Sequence, residues 1–349
     1  MALTPSQWDR RVELTALTPP ATLSGFVAYL NEDSLPAEIW TTALNGGGDI
    51  RVCTDKDGVN QLPLQVVSFD TVGEAAQLWF RFSTLSTAAR KVWVFYGKAA
   101  ETQPPVAGLF GRNAVWADYT HRLGGDGQTD VTGATTTTLV GDVSQSGSVA
   151  GFNAINTAGE PDSYLRFNGT DGENWTGDFT VSAWVNSRST AVAFANIIGI
   201  RATNTWEFSY RIESDKPSFL IGTSSPESTS SITIDQDHLL TATVSGTLIS
   251  YYIDGALTDT KTVVGVRTNR TISITVNGYN NAPTGRVLIG RTANACGING
   301  SVRTADHISA EWDNQSNPSA YWTTGTPENT STTTTITVIM NHLKNQGIA

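Results

Sequence analysis

Short runs of alternating apolar and polar residues fill most of the chain, each bounded by Gly, Asn, Asp or Pro. The clearest are residues 77–82 (QLWFRF), 91–96 (KVWVFY), 179–186 (FTVSAWVN), 206–212 (WEFSYRI), 248–253 (LISYYI) and 271–276 (TISITV). A period of two sends successive side chains to opposite faces, so each run predicts a half-buried β-strand. Between the runs, Asp57-Gly58, Asp171-Gly172, Asp254-Gly255 and Asn277-Gly278 tolerate the positive φ of tight turns. Nothing reads as a long helix. The predicted fold class is therefore all-β, built of two-layer sandwiches. Within 179–185, Phe179, Val181, Ala183 and Val185 share one face and fill an inter-sheet core, while Ser182 and Trp184 share the other. Trp184 then lies on an outer face, either under a crossing loop or in a sugar-binding concavity.

At 349 residues the chain has the length of about two domains. The break falls near residues 101–111 (ETQPPVAGLFG), where Pro104-Pro105 disfavours both helix and central strand. The predicted division is residues 1–103, a Pro/Gly linker at 104–113, a second β-domain at 114–323, and a Thr-rich tail at 324–349. That tail holds one more alternating run, residues 336–340 (ITVIM); its threonines form either a β-prone surface stretch or a linker. No internal repeat of fixed period is visible.

Charge narrows the function. Lys and Arg number 22 against 32 Asp and Glu, a net charge of -10, which argues against a nucleic-acid partner and against docking on anionic lipid. No apolar run approaches the roughly 18 residues of a membrane span, so no membrane insertion is expected. The opening MALTPSQWDRRVEL lacks a basic segment followed by an apolar one, so the expectation is synthesis in the cytoplasm without a secretory signal. Cys53 and Cys296 are 243 positions apart and are expected to be free buried thiols.

Two spaced patterns resemble known families. The first is Trp8-Asp9-Arg10-Arg11, then residues 23–30 (LSGFVAYL), 47–58 (GGDIRVCTDKDG), 61–70 (QLPLQVVSFD), 76–86 (AQLWFRFSTLS) and 91–99 (KVWVFYGKA). It resembles DUF2341, a small β-domain of unknown function found in extracellular and phage proteins, over residues 5–100. The second is residues 114–123 (AVWADYTHRL), 164–170 (YLRFNGT), 179–185, 238–257 and 287–291, closed by a short helix and turn at 302–318. It resembles a laminin-G or concanavalin A-like jelly roll. The resemblances imply an N-terminal small β-sandwich followed by a C-terminal concanavalin A-like jelly roll. Asn299-Gly300-Ser301 stand where many relatives carry an acidic pair, which weakens transfer of a calcium ligand.

Candidate chemistry is sparse. Glycoside hydrolysis needs two carboxylates about 5–10 Å apart, and no Glu-x-Asp-x-Glu run exists. His121, His238, His307 and His342 show no metal-ligand spacing. No cofactor is expected; calcium is the one metal that acidic loops invite, with Asp126 and Asp130 as candidate ligands. Carbohydrate recognition needs flat aromatic platforms beside amide partners, and Trp175, Asn204, Trp206, Tyr279 and Asn280 fit that composition. The expected function is a non-enzymatic bacteriophage virion protein, on a tail fibre or tail tip, whose lectin-like domain attaches to host-surface polysaccharide. It would sit in the virion as a homo-oligomer among other virion proteins. Two alternatives stay open: an architectural capsid or tail decoration protein, and a polysaccharide depolymerase.

Overall fold

The computed structural model describes residues 2–188, 194–202, 205–222, 224–264, 267–279, 282 and 286–330. The first module is the expected sandwich. One sheet runs in the order Trp322–Thr324, Arg10–Ala16, Lys91–Tyr96, Arg51–Cys53, and the other joins Val27–Asn31, Ala75–Arg81 and Leu64–Asp70. Alternation decides what is buried: Val12, Leu14 and Ala16 point inward from the first strand, as do Val92 and Val94 from its neighbour. They meet Ala28, Leu30, Leu78 and Phe80 of the second sheet in one core.

The second module stacks a six-stranded sheet on an eight-stranded one. The six-stranded order is Thr137–Val140, Tyr164–Phe167, Ile274–Val276, Ala195–Ala202, Thr205–Glu213, Lys216–Ile221. The eight-stranded sheet runs Val143–Val149, Phe152–Ala158, Ile289–Asn299, Phe179–Ser187, Asp237–Ser245, Leu248–Ile253, Ala256–Thr262, with His121–Arg122 paired to Ile289–Asn299. Phe179, Val181, Ala183 and Val185 face inward as the alternation predicted, against Leu165, Phe167, Phe208, Tyr210, Ile274 and Val276 of the other sheet.

The last described stretch differs from the sequence reading. Residues up to 323 were expected to belong to the jelly roll and the rest to a tail. Instead Trp322–Thr324 pairs with Leu14–Ala16, and Glu328–Asn329 pairs with Arg10 and Arg11. The chain thus returns to complete the N-terminal sheet, a pairing over some 300 positions that no local pattern encodes. The run at 336–340 lies outside the described residues. The Pro/Gly segment is also tied down: the Phe110 carbonyl accepts from Leu64 N at 3.0 Å, and Val106 from Asn113 N at 3.0 Å.

The two modules share an aromatic interface. Trp184 packs at a tilt 5.2 Å from Trp312 and 6.3 Å from Phe152, and Phe152 in turn meets Tyr29 and Trp79 at 4.9 and 5.6 Å. Trp312 belongs to the helix Ala305–Ser316, which starts with Thr304 accepting from His307 N. From the same helix Asn314 clasps both backbone groups of Tyr29, at 2.6 and 2.9 Å, and Gln315 accepts from the Trp184 indole at 2.8 Å. The Arg122 guanidinium lies 4.9, 4.1 and 5.6 Å from the rings of Trp79, Trp116 and Tyr119. Arg81 grips both oxygens of Asp118, at 2.7 and 2.8 Å. Trp184 is on the outer face of the eight-stranded sheet, as expected, but that face is covered by the N-terminal module and the helix. Cys53 and Cys296 are free and buried.

Candidate functional site

With one outer face of the jelly roll covered, the other is the outer face of the six-stranded sheet. Its strands are apolar inward and polar outward. Register places Thr138, Arg166, Thr275, Gly199 and Ser209 side by side across five strands. Gly199 interrupts this row. A Cβ there would come within 2.6 Å of the Phe208 carbonyl oxygen and 2.8 Å of Ser209 Cα, so only glycine fits. Gly199, Thr275 and Ser209 are buried, so the exposed Arg166 and half-buried Thr138 form the open end of the row. Beside it opens a cavity of about 230 Å³ lined by Tyr164, Arg166, Asp171, Ser273 and Thr275 among others. Asp171 accepts from Ser273 Oγ at 2.5 Å, and Arg166 Nε donates to Asn168 Oδ1 at 3.2 Å. Further across the sheet Ser209 Oγ donates to Asn196 Oδ1 at 2.6 Å, and Asn196 Nδ2 to the Gly278 carbonyl at 2.9 Å. Asn196 and Ser209 are buried, so this face presents Arg166, Asp171 and Ser273 to solvent, a guanidinium, a carboxylate and a hydroxyl with which sugar hydroxyls can pair.

The loop that carries Asp171 is held by an ionic clamp. His121 donates from Nδ1 to Asp130 at 3.0 Å and from Nε2 to the two Glu173 oxygens at 2.9 and 3.0 Å. Burial alone would lower the imidazole pKa, but hydrogen bonds to Asp130 and Glu173 outweigh it and raise it to about 9. Burial would likewise raise the Glu173 carboxyl, yet the bond to His121 draws it below the usual carboxylate range. The imidazolium is therefore a buried cation between two carboxylates, with both ring nitrogens occupied. Glu173 also accepts from the Trp175 indole at 3.1 Å.

The sequence-chosen residues fall elsewhere. Trp175 is 1% exposed and belongs to the core, 5.6 Å from Phe179 and 5.5 Å from Phe208. Tyr279 is fully buried beneath the Arg201 guanidinium at 4.3 Å. Neither ring can be a sugar platform; each sits in a turn that folds back onto the sandwich, which local composition did not reveal. Trp206 is half-buried, its indole donating to the Gly222 carbonyl at 3.1 Å. Asn204 and Asn280 lie outside the described residues. Of the suggested calcium ligands, Asp130 Oδ1 accepts from Arg122 N, Thr132 N and Thr132 Oγ1, while its Oδ2 holds His121. Asp126 accepts from Gln128 N, Thr129 N and Thr129 Oγ1. Both aspartates fold their own loop. Among the described residues no three His, Cys, Asp or Glu side chains are grouped to hold a metal ion. Tyr164, Arg166, Ser273 and Thr275 were not singled out, although the alternation in residues 164–167 and 271–276 already carries their outward placement.

Comparison with known proteins decides the second module. Residues 158–291 match the Laminin_G_3 family, of the concanavalin A-like lectin/glucanase superfamily. The second module is a concanavalin A-like jelly roll. No curated protein matches the chain. Among solved structures, the receptor-binding domain of botulinum neurotoxin type G is similar at 13% identity and a TM-score of 0.46, with 57% of this chain and 52% of that one covered. The binding domain of Paraclostridial Mosquitocidal Protein 1 is similar at 11% identity and 0.45, covering 56% and 51%. Domain 4 of AbnA, an extracellular GH43 arabinanase from Geobacillus stearothermophilus solved with arabinotriose, is similar at 16% identity and 0.45, covering 55% and 97%. The chain spans about half the length of the first two.

Proposed function

We propose that the protein is a non-catalytic glycan-binding protein that takes its ligand on the outer face of the six-stranded sheet. One observation carries this: the jelly roll gives its other outer face to the N-terminal module and keeps on this one a polar cavity lined by Arg166, Asp171 and Ser273. The neighbouring carboxylates favour binding over hydrolysis, since each is engaged by the protein itself. Glu207 accepts from Trp175 N and from Arg270 N, Glu213 pairs with Arg211 at 2.9 Å, and Asp171 holds Ser273.

A glycan array on the full chain tests the proposal. Arg166 and Asp171 are exposed, so replacing both with alanine should leave the unfolding midpoint unchanged while weakening binding at least tenfold, roughly 1.4 kcal/mol. A silent array would instead favour the purely architectural reading. The resemblance of residues 5–100 to DUF2341 supports a wider setting, a homo-oligomeric virion attachment protein in which repeated weak sites act together. Peptides of this chain among those of purified phage particles would bear it out, and their absence would remove it.

A further inference from the structure

On the same face an unbalanced group of arginines says more about the ligand. Arg201 is 3% exposed, its guanidinium stacked on Tyr279 and only 3.5 Å from Ser209 Oγ, with Nε lacking an acceptor among the described residues. Arg211, also 3% exposed, and Arg286 approach one phenyl ring, that of Phe194, at 4.4 and 5.4 Å. Arg286 is further tied to this sheet by its carbonyl, which accepts from Asn196 N at 3.4 Å. Arg211 has Glu213 as partner, whereas Arg201 and Arg286 form no ion pair among the described residues. All 32 aspartate and glutamate side chains of the chain lie among those described residues, so no acidic side chain is left to serve them. The exposed Arg166 adds another cation to the same face. An unpaired buried cation costs several kcal/mol, and the cation–π contact with Tyr279 offsets only part of that.

We infer that the glycan bound on this face is acidic, its carboxylate or sulfate group received by Arg201 with Arg286 beside it. This rests on the glycan-binding reading above and specifies its ligand. Burial draws the Arg201 pKa down to about 10, with Arg211 and Arg286 pulling the same way, a field that a bound anion would relieve. The overall charge of -10 would repel acidic polymers in general, so this group of arginines confines their binding to this face.

The experiment compares uronate-bearing, sulfated and matched neutral glycans on the full chain, with wild type, Arg201→Gln and Arg201→Lys. Acidic glycans should bind at least tenfold more tightly than neutral ones, with Arg201→Gln removing the preference and Arg201→Lys keeping part of it. The uronate and sulfated arms identify which anion is received. Equal binding of acidic and neutral glycans by wild type would overturn this inference and leave the glycan-binding function standing; binding of no glycan would overturn both. Should Arg201→Gln fail to fold, the half-buried Arg286 carries the same comparison as Arg286→Gln, with a retained acidic preference counting against the site.

Discussion

Replacing Trp175 with alanine is expected to cost about 3–5 kcal/mol of stability and to leave glycan binding by the folded fraction intact. The side chain is 1% exposed and wedged edge-on against Phe179, with Phe208 on another side. Opposite it Gly297 makes room: a Cβ there would lie 2.5 Å from the indole Cη2. Truncation leaves a cavity in the core and removes a donor from Glu173. Thermal unfolding should show the loss, which for a module of this size lowers the midpoint by roughly 6–20 °C. A change below 1 kcal/mol together with lost binding would return Trp175 to the role of sugar platform.

The second large effect is a pH dependence. The folded pKa of His121, about 9, lies above the roughly 6.5 of an unfolded histidine. Its contribution is therefore complete below about pH 6.5 and is lost as pH rises through 9. The shift corresponds to about 3 kcal/mol. Glu173 is displaced the other way, so its share is present above its unfolded pKa and is lost as pH falls through its folded value. The clamp is thus strongest between mildly acidic pH and neutrality. Urea unfolding at pH 6.5 and 9.5 should show wild type weaker at the higher pH, and His121→Gln should remove most of that difference. A smaller part stays with His238, whose pKa is raised chiefly by its bond to Asp254. An unchanged slope in His121→Gln would show that the clamp carries no such energy.

Much of the framework was legible because strand periodicity is a local signal. The inward set Phe179, Val181, Ala183 and Val185 follows from alternation alone, as do the buried positions of Arg10–Ala16 and Lys91–Tyr96. The site was less legible. Trp175 in Asn-Trp-Thr and Tyr279 in Asn-Gly-Tyr-Asn-Asn have the composition of sugar loops, yet both turns fold back onto buried strands. Burial of that kind depends on partners such as Gly297 and Arg201, which are distant in sequence. The His121–Glu173 pair spans 52 positions, and the Asn314 clasp on Tyr29 spans 285, so neither shows a spacing to recognise. Trp184 was legible as an outer-face residue, but what covers it was not, because its cover is another module.

The most direct test of the central claim is hydrogen exchange on the full chain with and without a glycan that the array identifies. Protection is predicted in Tyr164–Phe167, Ile274–Val276, Ala195–Ala202 and Thr205–Glu213, four adjoining strands of one sheet. Protection confined to the eight-stranded sheet or to the N-terminal module, with those four strands unchanged, would contradict it.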